Sequence, residues 1–127
     1  MALAANVLVA VVALEHLWFL VLEMFLWTTP LGIRTFGLTP EFAAASRALA
    51  ANQGLYNGFL AAGLLWGLLS RRNAFAIKVF FLSCVVVAGF FGAVTAKAAI
   101  LFVQAAPALV ALVLVVRSRR EGNPLQA

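Results

Sequence analysis

The sequence predicts an all-α integral membrane protein, a four-helix bundle formed by one domain over residues 1–127. Three observations carry that prediction. Apolar residues fill 65% of the chain and charged residues only 10%, whereas a soluble domain of this size is about one quarter charged. The apolar residues fall into four runs, each near the length of about 20 residues that crosses a hydrocarbon core. The basic residues gather between and after those runs, where the chain meets water and lipid headgroups. That placement ties the net charge of +5 to a membrane interface and argues against nucleic-acid binding.

The first run covers 3–27. No Lys or Arg precedes Arg34, so the basic region that opens a signal peptide is missing, and the run is expected to stay as a helix. Residues 28–32, with Thr28, Thr29, Pro30 and Gly32, favour a turn that stops it. Thr39-Pro40-Glu41 reads as a helix start: Thr caps, Pro suits the first turn, and Glu favours the positive end of the helix dipole. The second span is expected over 47–69, with its helix beginning as early as Pro40. Arg71-Arg72-Asn73 forms a turn into the third span, 74–95. A break near Ala96-Lys97 leads to the fourth, 98–116. Within the fourth, Pro107 cannot donate to the carbonyl of Val103, which predicts a kink. Trp27 and Trp66 lie near run ends, as interfacial anchors do. The lone thiol, Cys84, has no internal disulfide partner and reads as a small apolar filler.

Orientation follows from the basic residues. Four spans put Arg71, Arg72, Lys78, Arg117, Arg119 and Arg120 on the side of both termini, and Arg34, Arg47 and Lys97 on the other. The excess predicts a multi-pass protein with both termini on the cytoplasmic side, N-in and C-in. Small residues recur every fourth position at Ala50, Gly54, Gly58 and Ala62, and again at Ala88, Gly92 and Ala96. Such stripes let backbones approach within the bilayer, either inside the bundle or across a homodimer seam.

The candidate site rests on polar groups inside the runs. Ionisable side chains in hydrocarbon are costly and mark function by default. Glu15, His16 and Glu23 share one sector of the first helix and are the candidate catalytic or proton-handling groups. His16 and Glu23 stand about 10 Å apart along the axis, so only water, a ligand or another helix can join them. Asn52, Gln53, Tyr56 and Asn57 are candidate ligand-binding groups on a face of the second span expected to lie opposite the Ala50–Gly54–Gly58 stripe. In that register Gln53 stands level with Glu23, and Asn57 nearer Glu15 and His16. Gln104 and Lys97 join the ligand-binding set, with Lys97 placed to neutralise Glu23. Together they describe a polar pocket for a small lipophilic or cationic compound; interhelical hydrogen bonding is the structural alternative for the amides. No metal-ligand spacing such as H-E-x-x-H, no phosphate-binding glycine loop and no Ser–His or Cys–His nucleophile is readable, so no metal or cofactor is implied.

Leu14-Glu15-His16 followed by Glu23-Met24-Phe25-Leu26-Trp27 resembles the start of a small bacterial membrane-protein family known as a domain of unknown function. The stretch from Asn52-Gln53-Gly54-Leu55-Tyr56-Asn57 to Leu60, the segment from Ala88-Gly89 to Thr95, and Gln104 with Pro107 are similar to it as well. The resemblance covers nearly the whole chain and implies four spans in a bacterial inner membrane, but no substrate. The plan also resembles that of small multidrug transporters, which have four helices and a Glu in the first. Buried Glu and His groups resemble those of membrane sterol isomerases. Three function classes stay open: proton-linked binding or transport, an intramembrane isomerase or epimerase, and an accessory structural subunit.

Overall fold

The computed structural model describes residues 1–122. It is all-α, with no strand among those residues. The helices are α1 (Ala2–Met24), α2 (Pro30–Phe36), α3 (Pro40–Leu69), α4 (Ala74–Thr95) and α5 (Ala106–Gly122), with a π-helical turn at Leu101–Ala105 leading into α5. Three stretches are long and apolar enough to cross a membrane: α1, α4, and Leu101–Glu121. The longest helix, α3, has 30 residues and measures about 45 Å, but its apolar residues are interrupted by Asn52, Gln53, Tyr56 and Asn57. The chain forms two compact units. One holds Met1–Ala13 and the chain from Ala62 onward; the other holds Leu14–Ala61.

In the Leu14–Ala61 unit, α1 stops at Met24, three residues before the expected end at Trp27. The Leu26 N–H bonds back to the carbonyls of both Val21 and Leu22, and the Thr29 N–H closes onto the Leu26 carbonyl. One hydroxyl then serves both sides of the break. Thr29 Oγ1 donates to the Leu26 carbonyl at 2.6 Å and accepts from the Gly32 N–H at 3.3 Å, capping α2 with Pro30 in its first turn. Residues 30–36 are therefore a helix, which takes in part of the turn expected over 28–32. Gly37, at φ 68°, ends it in the left-handed conformation that glycine adopts without a Cβ clash. The Thr39 hydroxyl accepts from the Phe42 N–H at 3.2 Å, so α3 begins at Pro40. Trp27 ties this region together: its ring lies 4.7 Å from that of Phe36, and its Nε1 donates to Ser46 Oγ at 3.0 Å.

Helices α1 and α3 run antiparallel here, at close range. A Cβ on Gly54 would stand 2.7 Å from Met24 Cγ and 3.0 Å from Glu23 Cβ; one on Gly58 would stand 2.6 Å from Leu20 Cδ1. Lipid supplies no hydrophobic drive between helices, so such contacts depend on van der Waals packing, which small residues permit.

In the other unit, the end of α3 pairs antiparallel with α4, where Gly67 gives room to Lys78 and Gly63 to the ring of Phe81. The α4 helix ends at Thr95. The N–H groups of both Ala96 and Lys97 bond to the Gly92 carbonyl, and that of Ile100 to the Lys97 carbonyl. The fourth apolar run thus becomes helical at Ala99, one residue after the expected start at 98. It returns antiparallel to α4: Gly89 faces Ala105, Gly92 faces Ile100, and Arg119 covers Phe75. Pro107 explains the π turn. It has no N–H for the Val103 carbonyl, and its ring would clash there in a regular helix. The preceding turn is widened, with the Ala106 N–H bonding to the Leu101 carbonyl. Ala105 at its end, and Ala108, Ala111 and Val115 beyond it, are buried.

Candidate functional site

Three ionisable groups occupy the half of α1 that belongs to the Leu14–Ala61 unit. Glu15 is half-buried, and its Oε2 is a buried oxygen with no hydrogen-bond partner among the described residues. His16 is fully buried, with its ring edge-on to Phe19 at 5.5 Å and 73°. About two turns further on, Glu23 is half-buried and accepts a 2.6 Å hydrogen bond from Asn57 Nδ2. Asn57 is itself only 7% exposed, so this contact joins α1 and α3 away from bulk water.

The polar face of α3 divides. Asn57 is buried, while Asn52, Gln53 and Tyr56 are exposed. Tyr56 packs edge-on against Phe59 at 6.1 Å. At about 100° per residue, Asn57 lies within about 20° of Ala50, so it shares the small-residue stripe instead of facing away from it. Burial of that stripe against α1 carries Asn57 inside. The register also differs by about one turn from the expectation. Contacts of Gly54 with Glu23 and Met24, and of Gly58 with Leu20, set the helices so that Asn57, not Gln53, reaches Glu23.

Gln104 and Lys97 belong to the other unit. Gln104 is half-buried within the π turn, and Lys97 is exposed between α4 and that turn. A groove of about 230 Å³ beside the π turn is lined by Phe90, Leu101, Phe102, Ala105, Ala106 and Leu109 and has an apolar wall. Among the described residues, no group of three or more His, Cys, Asp or Glu converges as metal ligands would.

One polar pair in this unit was not singled out in the sequence. Lys78 Nζ donates to Asn6 Oδ1 at 2.9 Å. The signal for it was a lone amide in an otherwise apolar run near the start of α1.

Long apolar helices, with acids and amides set among them, define an all-helical protein of membrane type. The chain belongs to the DUF1304 family, described as a protein of unknown function, which matches residues 10–116. That range contains every candidate site residue. The chain is also similar to the uncharacterized protein YpaA of Lactococcus lactis subsp. lactis (strain IL1403), with 27% identity over 115 residues, covering 89% of this chain and 97% of that protein. No solved structure matches it.

Proposed function

We propose that the protein is a multi-pass inner-membrane protein with α3 as its fourth span, and that the Glu15, His16, Glu23 and Asn57 group binds a small lipophilic cation in a proton-linked manner. The observation that carries this reading is the buried Glu15 Oε2, which has no donor among the described residues. An unmade hydrogen bond at a buried oxygen is costly. A proton supplies the missing donor, and a lipophilic cation pairs by charge with the carboxylate once that proton leaves. Glu23 already has one from Asn57, so the two carboxyls differ in what they can accept.

Support for termini on one side comes from the unit holding Met1–Ala13. The Asn6–Lys78 bond brings the start of α1 to the start of α4, and the Arg119–Phe75 contact brings the end of α5 there as well. The arginines at that end favour the cytoplasm.

The test uses proteoliposomes loaded with a pH-sensitive dye and exposed to tetraphenylphosphonium, a lipophilic cation. Uptake coupled to proton movement, absent in Glu15→Gln, is expected. No cation-dependent proton movement would defeat the transport reading. Turnover of a co-purified compound in detergent, without vesicles, would support the isomerase reading in its place.

A further inference from the structure

We propose that the start of α4 and the end of α5 form a binding site for the phosphate of an anionic phospholipid, with Arg72 and Arg119 as its main ligands. The inference is independent of the acid and amide group on α1 and α3.

Register comes first. The Arg119 guanidinium lies 4.1 Å from the centre of the Phe75 ring. Phe75 is the second residue of α4, and Arg71 and Arg72 stand just before that helix. Arg72 precedes Phe75 by three residues, in the bend that leads into α4, and so lies at the same end of the hairpin as Arg119. Arg117 and Arg120 occupy the same last turns of α5, and all five arginines are exposed. Among the described residues, Glu121 is the one acid at this end. The opposite end of the α4–α5 hairpin holds Lys97 as its basic residue.

Depth comes second. The 22 residues of α4 make a rod of about 33 Å, close to the thickness of a hydrocarbon core of about 30 Å. Phe75 then marks the edge of the hydrocarbon, and a guanidinium stacked on its ring stands at the level of the lipid phosphates. Arginine suits that position. Its planar fork donates to phosphate oxygens in pairs while its face rests on an aromatic ring. The ring fixes the guanidinium, so less freedom is lost when a phosphate arrives. Lys78 is engaged with Asn6, which leaves the arginines as the donors for a headgroup. Five exposed cations beside one acid select a lipid with net negative charge over a zwitterionic one.

The test is native mass spectrometry of the full-length protein in detergent, titrated with phosphatidylglycerol or phosphatidylcholine. Retention of phosphatidylglycerol, and much weaker retention of phosphatidylcholine, is expected. Arg72→Gln with Arg119→Gln should weaken phosphatidylglycerol binding by roughly tenfold to thirtyfold, from two juxtamembrane basic residues. Arg34→Gln with Arg47→Gln, which removes the same charge elsewhere, should leave it unchanged. Phe75→Leu keeps every charge and should still weaken binding severalfold, by releasing Arg119. Equal retention of the two lipids would overturn the proposal. So would equal losses in the two double variants, wild-type binding by Phe75→Leu, or displacement of the lipid by inorganic phosphate at a matching concentration.

Discussion

Asn57 on α3 donates a 2.6 Å hydrogen bond to the Glu23 carboxyl on α1. The bond is local to the Leu14–Ala61 unit, and its donor is buried beside Gly54, the residue whose missing Cβ lets the two helices touch. Removing one partner of a buried hydrogen bond costs more than the bond contributes, because the other partner is left unsatisfied. We predict that Asn57→Ala destabilises the protein by about 1–3 kcal/mol. Glu23→Gln retains an acceptor oxygen and should cost clearly less. Melting temperatures in one detergent compare the two, and an Asn57→Ala protein that melts with the wild type would show that the bond contributes no stability.

Glu15→Gln keeps the size and hydrogen-bonding capacity of the side chain and removes its exchangeable carboxyl proton. We expect normal expression and a near wild-type melting temperature, together with loss of cation-coupled proton movement. Retained coupling would exclude Glu15 from the proton path. A large fall in melting temperature, with a proportionate loss of function, would favour a structural role for the carboxyl.

Two glycines of α4 make a matched test of packing. A Cβ on Gly89 would stand 2.8 Å from the Ala105 backbone nitrogen, whereas one on Gly92 would meet the Ile100 side chain at 3.2–3.3 Å. Backbone cannot yield as a side chain can. Gly89→Ala should therefore cost about 1–3 kcal/mol, as overpacking does, and Gly92→Ala much less. Thermal unfolding of the two variants measures the difference, and equal costs would contradict it.

Reporter fusions check the orientation. A fusion after Arg120 should report the cytoplasm, and one within 29–41 the opposite side. A C-terminal fusion reporting the periplasm would reverse the proposed topology.

Much of the helical plan was legible because long apolar runs and punctuating residues act locally. Thr39 and Pro40 declared the start of α3, and Ala96-Lys97 declared the break after α4. Thr29 and Pro30 carry the same start signal, yet α2 went unread, since seven residues are too few to show a periodic pattern. The candidate site was legible in composition but not in pairing. Glu23 and Asn57 were both visible as polar residues in apolar runs. Which amide would reach the acid depended on how Gly54 and Gly58 seat against Leu20, Glu23 and Met24, and that contact lies between segments some thirty positions apart. Position on the wheel also mattered more than polarity. Asn57 is buried because it borders the small-residue stripe, and Gln53 is exposed because it does not.

The π turn before Pro107 has a consequence for the phase of the helix that follows. Such a turn accommodates one residue more than an α-helical turn, and one residue is about 100° of rotation. Residues on either side of 101–105 therefore cannot be projected on a single wheel. Ala108, Ala111 and Val115 keep their buried positions only because the surplus residue indexes them there. Deleting one residue at 102–103 would tighten the turn and swing all three away by about a quarter revolution, while conserving almost every amino acid in the segment. A relative with a one-residue gap at this point would thus present a different side of its last helix to α4, however similar its composition.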